Sequence, residues 1–516
     1  MMNEVEKSDT CIVAEKPANK PAPAGAESVE PRRVTKRNTV ETQIRRTQSR
    51  ESVLLGLTRV RERAKTRKKE QFTGLLHHIT IDLLRSSYFS VKRKAAPGVD
   101  RVTWFQYGET LEDNLAKLHG RVHRGAYRPK PSRRMSIPKE DGKRRTLGIA
   151  ALEDKILQRA TVDVLNAVYE NDFLGFSYGF RPGRSQHDAL DALATGIRHT
   201  PVNFVLDLDV QRFFDSVNHE WMMRFVGHRI GDKRVLRLIE QWLKAGAVED
   251  ELWVATEEGT PQGGSASPLL ANIYLHYCFD LWAERWRRRE ARGNVTIVRY
   301  ADDVVVGFQY QSDARHFQTA LRERLEKFAL TLHPGKTRLI EFGRFATQHR
   351  ALRGLGKPET FNFLGFTHIC GRTREGKFLL RRKTRRDRLR SKLKSLKEEL
   401  MRRRHHSIPE QGKWLGQVVR GYFAYHAVPT NRASLQGFLH AVKRHWLRAL
   451  KRRGQRDRTT WDKIARLARA YLPTPRARHP WPDARFRVKH PRWEPSVQIV
   501  HARIWCATST NNCEKE

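Results

Sequence analysis

Cysteine is scarce in this chain of 516 residues, which contains only five, scattered from Cys11 to Cys513. Their odd number and irregular spacing fit neither a disulfide framework nor the paired ligands of a zinc site. The sequence also lacks an apolar run long enough to span a membrane, and acidic residues stand where a secretory signal would be basic and then apolar. These absences predict a cytoplasmic protein without a membrane segment.

Acidic residues are under-represented as well, because 99 Lys and Arg face only 56 Asp and Glu, for a formal net charge of +43. Such an imbalance favours a polyanionic partner, above all nucleic acid, although a ribosomal-type or membrane-surface protein could share it. The chain is nevertheless 39% hydrophobic, with 12 Trp and 23 Phe, which is enough for about three folded domains. Residues 1–45 lack such content and are predicted to be a disordered leader.

Carboxylates interrupt two apolar stretches. In residues 203–210 the alternation of apolar and other residues places Asp207 and Asp209 on one face of a predicted strand. In residues 295–308 a β-branched run stops at Tyr300-Ala-Asp-Asp303 and resumes, which predicts two antiparallel strands joined by a tight turn. The turn lacks the Gly of a relaxed hairpin. Such strain is tolerated mainly where function needs it, although Asp in a turn can also be plain turn chemistry.

Two further segments could contact a nucleotide. A loop with Gly263 and Gly264 leads into a predicted helix, and residues 133–149 predict a hairpin whose arms carry Lys and Arg. The basic hairpin could lie over a triphosphate or simply be solvated. Residues 173–185 are dense in aromatics, Gly and Arg, which suits stacking and backbone contact with a nucleic-acid strand.

A metal site would explain the carboxylates, because buried acids need a compensating cation. The hypothesis is that Asp209, Asp302 and Asp303 converge to hold two Mg²⁺ ions that bridge a nucleoside triphosphate and the 3′-hydroxyl of a primer. The reaction would be in-line phosphoryl transfer without a side-chain nucleophile. Asp207 remains a rival for Asp209, because both lie on the same face.

Several blocks of the sequence resemble the polymerase core of reverse transcriptases, and specifically of those encoded by bacterial group II introns. The blocks are Lys94–Asp100, Ile137–Lys139, Ser177–Arg184, the Asp209 strand, Thr260–Gly264, Ser267–Tyr274, Tyr300–Asp303 and Phe363–Phe366. The resemblance extends over residues 50–505. It implies an α+β right-hand polymerase with fingers, a palm built on an antiparallel sheet, an α-helical thumb and a small C-terminal DNA-binding module.

The resemblance divides the chain into five parts. After the leader these are an N-terminal extension with fingers (46–200), a palm with the catalytic aspartates (201–370), a thumb or maturase (X) domain (371–455) and a basic DNA-binding module with tail (456–516).

The resemblance also assigns roles to single residues. It makes Asp209, Asp302 and Asp303 the catalytic metal ligands, assisted by the carbonyl of Val210. It thereby favours Asp209 over Asp207 as the metal ligand from the predicted strand. Phe214 falls where an aromatic ring blocks a nucleotide 2′-hydroxyl, so that the enzyme selects deoxynucleotides.

Four more residues match positions that hold the incoming dNTP. Gln262 and Gly263 match the loop beneath it, and Lys143 and Arg145 match fingers positions on its phosphates. Thr146 replaces the Pro usual in the hairpin, which leaves these last contacts less defined.

The implied function is that of an RNA-directed DNA polymerase that copies intron RNA into cDNA and, as a maturase, binds the intron RNA to promote splicing and mobility. Its partners would be group II intron RNA, target DNA with a primer 3′ end, and dNTPs, in the bacterial cytoplasm. The alternatives are a domesticated or defence-associated reverse transcriptase, a non-catalytic splicing factor, and an RNA-copying RNA polymerase, which Phe214 disfavours. Cys506 and Cys513 cannot build the endonuclease domain of many relatives, so no second-strand cleavage is expected.

Overall fold

The structure of the chain is a computed structural model. It describes residues 55–138, 144–249, 252–255, 258–260, 263–454 and 458–490. The predicted leader (1–45) and two of the predicted dNTP contacts, Lys143 and Gln262, lie outside the described residues.

The N-terminal part is mainly helical because its apolar residues recur at helical spacing. Its helices are α1 (residues 55–66), α2 (Ile81–Ser90), α3 (Trp104–Glu109), α4 (Leu111–His123), α5 (Leu152–Tyr169) and α6 (Gln186–His199). The predicted basic hairpin is confirmed as β1 (Ser132–Pro138) and β2 (Arg144–Ile149), which pair antiparallel. Together with β4 (Ala247–Glu249) and β5 (Leu252–Val254), this hairpin forms a sheet in the order β2-β1-β4-β5.

The central sheet has the order β6-β7-β3-β8 and is antiparallel throughout. Its strands are β3 (Phe204–Leu208), β6 (Val295–Tyr300), β7 (Asp303–Phe308) and β8 (Arg338–Glu341). The helices associated with it in sequence are α7 (His219–Arg229), α8 (Lys233–Lys244), α9 (Ser267–Leu275), α10 (Leu281–Arg289) and α11 (Gln311–Glu326). The mixed α and β content fits a polymerase of the α+β class.

Both faces of the central sheet are buried, and alternation along the strands decides which residue enters which core. Leu206, Leu208 and Val306 belong to a large core shared with α5, α7 and α9. Val205 and Val305 enter a second core shared with α6. The predicted alternation of residues 203–210 is therefore confirmed.

The chain then forms a small sheet and a helical bundle. The sheet has the order β11-β10-β9, from β9 (Phe361–Phe363), β10 (Phe366–Arg372) and β11 (Phe378–Thr384), preceded by α12 (Ala346–Leu352). The bundle is built from α13 (Arg386–Arg402), α14 (Ile408–His426), α15 (Arg432–Lys451) and α16 (Trp461–Tyr471), which share one apolar core. Within the described residues, no helix combines the length and the apolar character needed to cross a membrane.

The last described helix, α17 (Pro482–Lys489), lies against α6 instead of the bundle. Phe486 is buried in the core beneath the central sheet. Asp483 binds Arg198 of α6 at 2.6 Å, and Lys489 binds Asp188 at the start of α6 at 2.6 Å. Opposite charges at both ends of α17 therefore fix its direction along α6.

Three buried histidines lie in this second core region. Burial is the main cause that lowers the pKa of His187 to about 2 and the pKa values of His368 and His426 to about 3. His368 is fully buried, its ring lies parallel to that of Phe361 at a centroid distance of 4.7 Å, and neither ring nitrogen has a hydrogen-bond partner. The folded protein therefore excludes a proton that the unfolded chain binds below about pH 6.5.

We expect these three histidines to lower the free energy of unfolding as the pH drops below 6.5, because only the unfolded state takes up their protons. Between pH 7.5 and pH 5, the substitution His368→Phe should reduce this loss of unfolding free energy by about 2 kcal/mol. Urea unfolding at the two pH values measures the difference. His405→Phe, at an exposed position, is the control, and an equal effect of the two substitutions would contradict the prediction.

Candidate active site

The ends of β3 and β7 bring the predicted catalytic carboxylates together. Leu208 pairs with Val304, so the next step of the same antiparallel register places Asp209 opposite Asp303. Asp302 occupies the turn between β6 and β7 directly before Asp303. Residues some ninety positions apart in sequence therefore meet at one edge of the central sheet.

The electrostatics of this edge are those of crowded like charges. Burial, followed by the charges of Asp302, Asp209 and Asp207, raises the pKa of Asp303 to about 7. Burial also raises the pKa of Asp207 to about 6, with Asp209 adding to the shift and Arg338 opposing it. Carboxylates in this arrangement favour a cation among them.

Basic side chains supply part of that positive charge. The Lys336 ammonium lies 3.1 Å from a carboxylate oxygen of Asp209, and Arg338 lies 3.9 Å from Asp207. Within the described part of the chain, no three His, Cys, Asp or Glu side chains are already drawn together as a metal-binding group. A metal ion at Asp209 would therefore compete with Lys336 for this carboxylate. The donors themselves fit Mg²⁺, which prefers carboxylate oxygens.

The turn that carries Asp302 is strained, as the sequence predicts. Tyr300 pairs with Asp303, and Ala301 between them has a positive φ of 55° although it is not glycine. The backbone of Gly179 packs directly against this turn, because a Cβ at Gly179 would lie 2.2 Å from the Ala301 nitrogen. The segment of the chain around Gly179 thus holds the turn in its unusual conformation.

A buried arginine anchors the same turn from inside the protein. Arg299 is fully buried, and its guanidinium binds both carboxylate oxygens of Asp280 at 2.7 and 2.6 Å. It also donates to Asn272 Oδ1 at 3.0 Å, to Ser177 Oγ at 2.7 Å and to the carbonyl of Ala301 at 3.1 Å. Arg299 therefore connects the turn to two helical segments and to the chain segment beside β6.

Asp280 reaches Arg299 because the helix changes its winding there. Residues His276–Asp280 form a π-helical turn between α9 and α10, and π-turns are frequent at functional sites. Burial opposes ionisation of Asp280, but Arg299 and His276 together outweigh it and hold the pKa of Asp280 below its usual value. Sequence reasoning missed this pair, and its only signal was a charged residue within each of two apolar stretches.

Backbone contacts also assemble the elements predicted to hold a dNTP. Phe214 is half-buried in a 3-10 turn, and its carbonyl accepts a hydrogen bond from the Thr260 N–H at 2.7 Å. Gly263 has a φ of 116°, and a Cβ there would lie 2.7 Å from the carbonyl of Gly148 in β2. The turn of Phe214, the Gly-rich loop and the basic hairpin are therefore neighbours.

Two further residues of this region lie on β2 and α5. Arg145 belongs to β2, where it pairs with Ile137 of β1. Gln158 of α5, which sequence reasoning also missed, accepts a hydrogen bond from the Ser265 N–H at 2.8 Å and so fixes the end of the Gly-rich loop. A polar Gln in a mainly apolar stretch of α5 was the available signal.

Comparison with known proteins identifies the family. Residues 137–368 match the family described as reverse transcriptase (RNA-dependent DNA polymerase). Protein YkfC of Escherichia coli (strain K12) is 35% identical over 298 residues, which cover 51% of this chain and 78% of YkfC. Group II intron-encoded protein LtrA of Lactococcus lactis subsp. cremoris is 39% identical over 166 residues, covering 32% of this chain and 27% of LtrA. Nuclear intron maturase 3, mitochondrial, of Arabidopsis thaliana is 28% identical over 131 residues, covering 25% of this chain and 18% of that protein.

The chain belongs to the reverse transcriptase family, and its relatives include proteins named as group II intron-encoded and as an intron maturase. It is therefore an RNA-directed DNA polymerase. The matched segments span most of YkfC but only about a quarter of LtrA.

We expect Asp280→Asn to lower the free energy of unfolding by about 3–5 kcal/mol, because it leaves the fully buried Arg299 without a counter-charge. Glu220→Gln breaks an exposed ion pair with Arg224 and should cost less than about 0.5 kcal/mol. Urea unfolding of both variants measures these losses. Similar values for the two would show that Arg299 does not depend on Asp280.

Proposed function

We propose that this chain copies group II intron RNA into DNA at the edge of its central sheet, and that it binds the same RNA as a maturase to promote splicing and mobility. The observation that carries the proposal is the convergence of Asp209, Asp302 and Asp303 in a chain of the reverse transcriptase family. The names of the relatives, which include an intron-encoded protein and an intron maturase, support the splicing role over a domesticated enzyme.

Members of this family generally use divalent metal ions, and the carboxylate edge fits two Mg²⁺ ions. Asp209, Asp302 and Asp303 would hold them, with the carbonyl of Val210 assisting. When bound, the ions would lower the pKa of the primer hydroxyl and neutralise charge on the leaving pyrophosphate. The fit rests on the raised pKa of Asp303 and on the ammonium of Lys336 beside Asp209, because both mark a place that favours positive charge.

The protein's own residues, as distinct from the metal ions, would position the carboxylates and the reacting phosphates. The strained turn, held by Arg299 and Gly179, would keep two carboxylates at a fixed place relative to Asp209. Such preorganisation matters because phosphoryl transfer depends on alignment and charge more than on covalent chemistry. Lys336 and Arg338 would add positive charge close to the reacting phosphates.

Phe214 would lie beneath the sugar of the incoming dNTP and exclude a 2′-hydroxyl. Gln262 and Gly263 would pack under the nucleotide, while Lys143 and Arg145 would bind its phosphates. The close approach of Gly263 to Gly148 supports this arrangement, because it joins the Gly-rich loop to the basic hairpin.

We assign the parts of a right-hand polymerase accordingly. Residues 46–200 would be the N-terminal extension and fingers, 201–370 the palm, and 371–455 the thumb, followed by a basic DNA-binding module. Support comes from the antiparallel central sheet with carboxylates at its edge and from the helical bundle that follows it. Residues 381–404, which include α13, carry 13 Lys or Arg against 3 acidic residues, a surface suited to phosphate backbones. Target DNA with its primer 3′ end and intron RNA would be the partners.

We expect Asp302→Asn to abolish Mg²⁺-dependent DNA synthesis on poly(rA) primed with oligo(dT), because it removes one metal ligand. Binding of RNA, measured by filter retention, should remain nearly intact. Asp207→Asn is the matched control and should retain synthesis if Asp209 is the ligand from β3. Synthesis by the Asp302 variant would refute the metal assignment, and loss in the Asp207 variant would favour the rival carboxylate.

We expect Phe214→Ala to raise incorporation of ribonucleotides relative to deoxynucleotides by about 10- to 100-fold, because it opens space at the sugar. Single-nucleotide extension with each substrate gives the ratio of kcat/KM values. Phe105→Ala removes an exposed ring elsewhere on the surface and should leave the ratio unchanged. An unchanged ratio in the Phe214 variant would place the selectivity elsewhere.

A further inference from the structure

The aromatic motif at residues 173–185 is mostly structural. Phe173, Phe176 and Tyr178 are buried, which corrects the expectation that these rings lie open to a nucleic-acid strand. Phe180 differs, because 38% of it is exposed. None of the roles proposed for the polymerase site involves this ring.

The backbone of Phe180 is strained. Its φ of 57° lies in the left-handed region, which a bulky residue rarely adopts. Such a conformation persists only when its surroundings enforce it, and it clusters at functional sites. In the described part of the chain, Phe180 is the only aromatic residue with a positive φ.

Both neighbours of Phe180 are fixed. The carbonyl of Gly179 accepts a hydrogen bond from Asn272 Nδ2 at 2.6 Å, and the backbone of Gly179 packs against Ala301. Arg181 is buried, forms an ion pair with Glu170 at 3.0 Å and donates to two backbone carbonyls at 2.8 Å. The chain therefore has little freedom to relax Phe180, and its ring is held outward.

The ring is held beside the catalytic turn. The Tyr178 N–H donates to the carbonyl of Arg299 at 2.8 Å, so this segment runs alongside β6 and ends next to Tyr300. The rings of Phe180 and Tyr300 lie 6.3 Å apart between centroids. Together they form an aromatic ledge, defined by Phe180 and Tyr300, adjacent to Asp302.

We propose that Phe180 binds the template–primer duplex, and that its ring contacts the sugar and base edges next to the primer terminus. A neutral ring cannot bind phosphate, whereas stacking and apolar contact with sugars and bases are its ordinary interactions with nucleic acid. The inference rests on the proposed polymerase function, because that function places the primer terminus at Asp302. This contact would account for the strained backbone of Phe180, since a relaxed backbone would turn the ring away from the ledge.

Phe180→Gly separates strain from function, because glycine adopts this φ freely. We expect the variant to melt at the wild-type temperature or a few degrees above it. It should bind an RNA–DNA template–primer about tenfold more weakly in fluorescence anisotropy without dNTPs. The KM for dTTP at saturating template–primer should stay within twofold of wild type. Phe180→Tyr should restore tight binding, because it keeps the ring.

Ala329→Gly is the matched control, because Ala329 also has a positive φ, of 55°, and is exposed in the turn after α11. It should bind the template–primer like wild type. Wild-type affinity in Phe180→Gly would overturn the inference, as would weak binding in Phe180→Tyr. A failure of the proposed function would show itself differently, as wild-type protein that binds the duplex but does not extend the primer.

Discussion

The buried guanidinium of Arg299 is the interaction on which the geometry of the carboxylate edge depends. It neutralises Asp280, which the π-helical turn directs inward, and it binds the carbonyl of Ala301 in the strained turn. A buried ion pair of this kind contributes little net stability compared with an apolar pair, but it tolerates few alternative arrangements. We interpret it as a device that fixes where the turn lies, so that Asp302 and Asp303 meet Asp209.

Without a bound cation, the cluster of carboxylates at the ends of β3 and β7 is electrostatically unfavourable. Carboxylates from β3 and from the β6–β7 turn crowd together, which raises the pKa of Asp303, and Lys336 lies against Asp209. The protein therefore stores like-charge repulsion at the place where a cation would relieve it. The strained turn that carries two of these carboxylates is held by Arg299 and by the backbone of Gly179.

Patterns local in sequence predicted much of this arrangement. Alternation identified β3 and its carboxylates, and the break in a β-branched run identified the β6–β7 turn. Contacts between distant segments could not be read in this way. The pairing of Asp280 with Arg299 depends on the π-helical turn, and the place of α17 depends on charges that match α6. The expectation that the rings of residues 173–185 lie open to nucleic acid was wrong for three of them. Tertiary packing buries these rings, and composition does not reveal such packing.

Anomalous diffraction from Mn²⁺ would locate the metal site directly in crystals of a ternary complex with an RNA template, a dideoxy-terminated DNA primer and the next dNTP. We expect two manganese peaks bound by Asp209, Asp302 and Asp303, with Lys336 displaced from Asp209. Absence of peaks at this edge, or peaks bound by Asp207 with the pair between Lys336 and Asp209 intact, would contradict this expectation.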